Sequence, residues 1–396
     1  MAKVVLAFSG GLDTSFCAVW LREELGAEVV TVTVDTGGFP AAEAKAIADR
    51  AAEVGSARHI HVDGRRRVLD GFISWLIRGN CLRGGVYPIA VGAERVAQAE
   101  AVVGAARDAG AGAVAHGSTG AGNDGIRFDT AFRALAPDLA IHAPVRTLAL
   151  SREAEAKWLA TRGIHIPAKT SRYSVNEGLW GVTIGGGETH DSWAEVPEDV
   201  YRLTRRVAGL PPEEVILSFE QGLPVALDGR RLDGLALIDE LNRRAGAQGI
   251  GRGVHVGDTI LGLKGRIAFE APAAVVLVAA HRELEKLVLT GRQLSVKGPL
   301  GDLYGSLLHE GLWFDPVMRD IEALLERSQE RVTGDVRVRL SEGAFAVAGA
   351  RSAQSLLGGG GAAYGERGAG WSGAEAAGFA RIHGLAAALA AERDRR

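Results

Sequence analysis

The chain has 396 residues, long enough for two or three domains with substantial cores. Its formal net charge is −3 and its longest basic run is Arg65-Arg66-Arg67, so the charge pattern argues against a nucleic acid partner. Its two cysteines, Cys17 and Cys81, are too few for a disulfide framework and form no C-x-x-C pair. No window approaches ~18 uninterrupted apolar residues, so no membrane span is expected. The apolar start at Val4 runs directly into a glycine loop rather than a cleavage site, and a cytoplasmic location is expected. The excess of Gly, Ala and Arg reads as codon bias without functional weight.

From the start to about Pro167 the pattern alternates strand and helix. Strands are expected at 3–8, 28–34, 57–62, 112–116 and 139–142, and helices at 14–25, 41–54, 66–78, 93–109 and 151–162. Such alternation implies a parallel sheet covered on both faces, with ligands gathering beyond the carboxyl ends of its strands. The suggestive residues fall at those ends: Ser9–Ser15, Val34–Gly38 and His116–Arg127. The fold class is α/β, with a doubly wound parallel-sheet nucleotide-binding domain over residues 1–167.

Past Pro167 the pattern breaks. Short Gly-rich segments such as Thr183-Ile184-Gly185-Gly186-Gly187 lead to a strand at 214–220 and a hairpin turned at Asp228-Gly229. Helices at 233–245, 274–288 and 315–331 and strands at 260–269, 334–340 and 344–348 complete an α+β second domain, residues 168–355. The run Gly358–Gly361 reads as a linker within a third region, 356–396. Its helix, 373–392, carries Phe379, Ile382, Leu385 and Leu389 on one stripe, with no core of its own nearby.

Two loops carry chemistry. In Ser9-Gly10-Gly11-Leu12-Asp13-Thr14-Ser15 the glycines allow a sharp turn and close ligand approach. The helix-start amides and hydroxyls suit a phosphate or pyrophosphate. Neither G-x-G-x-x-G nor a Walker lysine is present. The second loop is His116-Gly117-Ser118-Thr119-Gly120-Ala121-Gly122-Asn123-Asp124-Gly125-Ile126-Arg127-Phe128. It gathers hydroxyl, amide, carboxylate and guanidinium, a set fit for a zwitterionic amino acid. By itself it fits equally a structural loop that satisfies its own backbone.

The first string resembles the PP-loop of N-type ATP pyrophosphatases, which split ATP between the α and β phosphates. Both loops together resemble argininosuccinate synthase, and the likeness extends through Tyr173-Ser174, Leu179-Trp180-Gly181, Gly249-Ile250-Gly251-Arg252, Gly311-Leu312-Trp313-Phe314 and Ala377-Gly378-Phe379. The resemblance implies an adenine nucleotide alpha hydrolase-like domain, a synthetase domain and a C-terminal arm that assembles a homotetramer. It implies a ligase that adenylylates the ureido oxygen of citrulline and joins the product to aspartate, releasing AMP and pyrophosphate, with Mg2+ carried on ATP. The implied ATP residues are Ala7, Phe8, Ser9, Gly10, Gly11, Leu12, Asp13, Thr14, Ser15, Val34 and Gly117. Thr119, Asn123 and Asp124 would hold aspartate; Tyr87, Asn123, Arg127, Ser174 and Thr183 would face the ureido acceptor. Ser9, Asp13, Asp124 and Arg127 would carry catalysis, and no protein-held metal is implied.

The chain departs from that family at the acceptor. The family loop reads roughly Tyr-x-Leu-Gly-Thr-Ser-x-x-Arg-Pro; here it is Tyr87-Pro88-Ile89-Ala90-Val91-Gly92-Ala93-Glu94-Arg95-Val96. The citrulline glutamate and tyrosine fall at Gly257 and Phe269, and a serine at Thr183. Asp258, through a one-residue shift of the alignment, and Glu94 are the acids available to replace the lost carboxylate. These losses point to weakened citrulline use, or to another ureido or carbonyl acceptor. A non-catalytic nucleotide-binding relative and a tRNA-modifying PP-loop enzyme are the other readings; the intact PP-loop and the lack of a basic face weigh against them.

Overall fold

The computed structural model describes residues 2–38, 40–120, 122–166, 172–358 and 370–396. Strands β1 (Lys3–Ala7), β2 (Glu28–Asp35), β3 (Arg58–Asp63), β4 (Ala113–Ala115) and β5 (Ala140–His142) form a parallel sheet in the order 3-2-1-4-5. β1 is central, so both of its faces must be apolar. Leu6 packs with the helices Leu12–Glu24 and Arg152–Ala160 on one face, and Val5 with the helices Ala93–Ala109 and Asn123–Leu135 on the other.

The alternation expected before Pro167 is therefore present, with strand ends within about two residues. One helix was hidden in the second loop: Asn123–Leu135 begins there, with Gly122 as N-cap and Phe128, Ala131 and Phe132 buried. Its glycine-rich lead-in masked the apolar spacing. The helix expected at 66–78 is present as Arg65–Val68, a π segment Leu69–Ile73 and Ser74–Gly79.

The second part holds two antiparallel sheets. One joins β8 (Glu213–Glu220), β9 (Leu223–Leu227), β10 (Arg230–Arg231), β13 (Gly334–Ser341) and β14 (Ala344–Arg351) in the order 10-9-8-13-14. The β9–β10 hairpin turns at Asp228-Gly229, both with positive φ, as its sequence requires. The other sheet, order 11-12-7-6, joins β6 (Tyr173–Gly178), β7 (Gly181–Gly186), β11 (Arg252–Asp258) and β12 (Lys264–Glu270). β6, β7 and β11 were not expected as strands; β7 is half glycine, and β6 and β11 are short polar runs around it in the sheet. This sheet leans on the nucleotide-binding part: the Leu179 amide donates to Thr36 O at 2.8 Å and Trp180 Nε1 to Pro88 O at 2.9 Å.

A 20-residue helix, Gly291–Glu310, was also not expected, because Gly298, Pro299, Gly301 and Gly305 all lower helix propensity. Thr290 and Gln293 close a capping box at its start. Packing explains the glycines. A Cβ on Gly301 would lie 2.1 Å from Gly79 O, so only glycine lets this helix meet Ser74–Gly79 backbone to backbone.

The C-terminal segment is two helices, Gly373–His383 and Leu385–Arg393, with Gly384 between them instead of one continuous rod. Phe379, Ile382, Leu385 and Leu389 are all exposed on the single chain. Of the glycine run, only Gly358 falls within the described residues. Among those residues, no helix is long and apolar enough to cross a membrane.

Replacing Gly301 by alanine should force the two helices apart. We expect a loss of about 1–3 kcal/mol in stability, read as a lower midpoint in urea unfolding followed by circular dichroism.

Candidate functional site

The first glycine loop leaves the end of the central strand. The Phe8 amide donates to Val32 O at 2.8 Å and the Thr33 hydroxyl to Phe8 O at 2.5 Å, which fixes the exit direction. Gly10 then turns with φ +73°, and the helix opens at Leu12 with no side chain capping its first amides. Ser9 Oγ lies 3.2 Å from Thr14 Oγ1. Ser15 Oγ and Asp13 Oδ1 are buried without a hydrogen-bond partner. Buried polar atoms of a native structure are normally paired, so this loop presents unfilled valences to a polar ligand. Ala7 and Val34 end or nearly end β1 and β2 at the same edge of the sheet.

The second loop lies directly on the first. A Cβ at Gly117 would sit 2.9 Å from Thr14 Cγ2 and 3.1 Å from Thr14 N, so the two loops meet only because residue 117 has no side chain. Beyond it, Thr119 is exposed, and Asn123 opens the next helix with Oδ1 accepting the Ile260 amide at 3.0 Å. Asp124 and Arg127 are one helical turn apart, and Arg127 Nη1 donates to Asp124 Oδ1 at 2.8 Å. Arg95 Nη2 donates to Asp124 Oδ2 and to Asn176 Oδ1, both at 2.9 Å. Burial opposes ionisation of Asp124, but the Arg95 and Arg127 guanidiniums override it and hold the carboxyl well below the usual range. Each of its oxygens still has a lone pair for a further donor.

Tyr87, Ser174 and Thr183, expected at the acceptor, lie beyond this clamp, on or against the β6–β7–β12–β11 sheet. Tyr87 is buried, its hydroxyl accepts the Val91 amide at 3.0 Å, and its ring stacks on His255 at 5.6 Å and tilts against Phe269 at 5.3 Å. The ladders pair Asn176 with Thr183, Thr183 with Phe269, and Phe269 with Gly253. Alternation places Ser174, Asn176, Thr183, Phe269, Gly253, His255 and Gly257 on one face of this sheet. Asp258 falls on the opposite face, where its exposed carboxylate pairs with Lys264 at 2.6 Å. The pleat therefore removes Asp258 as a substitute for the acid missing at Gly257. Glu94 is buried too, but its Oε2 accepts the Gly92 amide at 2.8 Å, and burial pushes its carboxyl up. Gly92 has φ +143°, so its replacement of serine is a change of backbone as well as of side chain.

Arg83, His255 and His309 were not singled out from the sequence; His309 meets Arg127, which was. Arg83 Nη1 meets His309 Nε2 at 2.7 Å, and Arg127 Nε donates to His309 O at 2.7 Å. Their positions, 83, 127, 255 and 309, are too far apart in the chain for spacing to have joined them. Glu155 is a further case. It is buried near Asp13, whose Oδ1 lies 3.5 Å from Arg152 Nε, and burial followed by the Asp13 charge pushes Glu155 up to about 7.

A carboxyl raised in the folded state contributes stability below its unfolded value and loses it as pH climbs through the folded value. Glu155 starts from 4.5 and rises to about 7. Glu155→Gln should therefore raise the melting temperature by about 2–5 °C at pH 8 and hardly at all at pH 4, measured by calorimetry.

Comparison with known proteins follows the same division. A family model described as the arginosuccinate synthase N-terminal HUP domain matches residues 3–165, and one described as the arginosuccinate synthase C-terminal domain matches residues 173–390. The chain is 41% identical over 385 residues to a protein of Dictyoglomus thermophilum named argininosuccinate synthase, covering 97% of this chain and 96% of that one. It is 40% identical over 393 residues to a protein of the same name from Methanocaldococcus jannaschii, covering 99% and 98%.

Proposed function

This chain belongs to the argininosuccinate synthase family, and from that premise we propose how its residues divide the family reaction. It is an ATP-dependent carbon–nitrogen ligase that forms AMP. The ureido oxygen of citrulline, or of a citrulline-like acceptor, attacks the α-phosphorus of ATP and pyrophosphate leaves. The amine of aspartate then attacks the activated carbon, loses a proton, and AMP departs with the oxygen.

The observation that carries this division is the seating of Gly117 on Thr14, which joins the two glycine loops into one cradle. We assign the phosphates to the uncapped amides after Gly11 and to the Ser9, Thr14 and Ser15 hydroxyls. Donors placed before the reaction lower the barrier, because charge develops on the leaving oxygens without solvent reorganisation. Mg2+ would arrive on the phosphates of ATP and supply charge neutralisation there, with Asp13, whose Oδ1 makes no hydrogen bond, as the carboxylate of this loop that would face it. Thr119, Asn123 and Asp124 take aspartate. Asp124 is held ionised, so it binds the ammonium but is a weak base for its proton. Arg127, Asn123, Ser174 and Thr183 face the ureido end, and Tyr87 shapes that pocket through its ring. Residues 1–167 thus bind nucleotide, and 168–355 close the acceptor side.

We assign the C-terminal arm to assembly. Its exposed Phe379, Ile382, Leu385 and Leu389 would be covered by a second subunit in a homotetramer.

Two measurements test these readings. The nucleotide products should be AMP and pyrophosphate, and Ser9→Ala or Asp13→Ala should cut kcat by ~100-fold or more with an unchanged urea midpoint; ADP and phosphate as main products would overturn the assignment. A chain ending at Ser355 should form a smaller assembly, with fewer subunits by light scattering than the full chain. Full and shortened chains that are both monomers would remove the arm from assembly.

A further inference from the structure

We infer that the acceptor of this ligase carries an anionic head and lacks a free ammonium, because Arg83, His255 and His309 gather beyond Arg127, at the end of the acceptor side away from Asn123, with no free carboxylate in hydrogen-bond contact with them. The inference rests on the ligase reading and concerns one end of one substrate.

Two guanidiniums converge on a single imidazole. Arg83 Nη1 lies 2.7 Å from His309 Nε2, and Arg127 Nη2 lies 3.2 Å from His309 Nδ1. Burial first, then Arg127 and Arg83, push His309 down to about 2, so the ring is neutral. A neutral imidazole has one acceptor nitrogen and cannot balance two positive charges. Among the described residues Arg83 has no carboxylate partner; its other contact is the Asp258 carbonyl at 2.6 Å. Arg83 is therefore a half-buried cation with no carboxylate in direct contact; the Asp258 carboxylate acts on it only through space and is itself bonded to Lys264.

His255 adds the second observation. Its ring is buried against Tyr87, and its Nε2 has no hydrogen-bond partner. A Cβ on Gly257 would lie 2.6 Å from that nitrogen. The imidazole thus fills the space into which a longer side chain at position 257 would grow. A donor, or a weakly basic ring, stands where an acid would be needed to hold an ammonium.

The acids of the neighbourhood are all engaged elsewhere. Asp124 is clamped by Arg95 and Arg127, Glu94 accepts the Gly92 amide, and Asp258 points away toward Lys264. An α-ammonium placed at the head end would meet like charge without a partner, whereas a carboxylate there would find Arg83 and the His255 nitrogen. The substrate class that fits is a ureido acid, with the ureido group toward Asn123 and Arg127 and its carboxylate toward Arg83.

Three acceptors separate the possibilities: L-citrulline, 5-ureidopentanoate, which lacks only the ammonium, and 4-ureidobutylamine, which lacks only the carboxylate. Aspartate-dependent AMP formation by the full chain is measured with each. We expect kcat/KM for 5-ureidopentanoate to exceed that for citrulline by at least ~10-fold, with 4-ureidobutylamine the poorest. Arg83→Met should erase that preference and Arg83→Lys should retain part of it. His255→Ala combined with Gly257→Glu should turn the preference toward citrulline. Citrulline used as well as or better than 5-ureidopentanoate, or a preference untouched by Arg83→Met, would overturn the anionic head and leave the ligase standing. No aspartate-dependent AMP with any of the three would overturn the ligase reading itself.

Discussion

The structure turns on one half-buried carboxylate. Asp124 receives Arg127 from its own helix and Arg95 from the helix before it. Arg95 continues to Asn176 on β6, and Arg127 to the His309 carbonyl at the end of a helix, 182 residues further on. Nucleotide-binding and acceptor-side elements are thus tied at one point. Charges taken from water cost several kcal/mol each, and only near-ideal geometry offsets this. Such a network has a narrow range of acceptable positions, and it holds the site in register before any substrate arrives.

Glycine acts as a spacer around this anchor. Gly117 admits the second loop onto the first, and Gly37 would place a Cβ 2.7 Å from Leu179, where the β2 loop meets the β6–β7 turn. Gly301 does the same for two helices distant from the site. The glycine content read as codon bias therefore includes positions where two backbones touch. No composition argument distinguishes these from glycines with open space around them, such as Gly104 or Gly110.

The site is asymmetric in charge. At Asp124 a carboxylate is held ionised by the two guanidiniums beside it. Beyond Arg127 the same arginine network continues through His309 to Arg83 without a further carboxylate in hydrogen-bond contact. The changes at Gly92, Gly257 and Phe269 belong together in space. Phe269 and His255 both pack on the Tyr87 ring, His255 lies over Gly257, and a Cβ on Gly92 would come 3.8 Å from Arg127 Cζ. They form one remodelled pocket, not scattered losses.

How much of this was legible in the sequence depends on the range over which each feature is decided. The parallel sheet was, since period-2 and period-3.6 patterns record which faces are buried within a dozen residues. The two glycine loops were, since a turn, an uncapped helix start and a cluster of polar groups are local. The helix Gly291–Glu310 was not, because packing against Gly79 overrides four unfavourable propensities. Asp258 was available to the sequence as a replacement acid, and only the strand pleat turned it away from the pocket. The meeting of Arg83, Arg127, His255 and His309 lay beyond any spacing rule, because long-range folding brings together residues from a loop, two helices and a strand. Local chemistry marked the two glycine loops and the family they belong to; tertiary packing alone decided which charged groups stand together around Tyr87 and His309, because each comes from a different element.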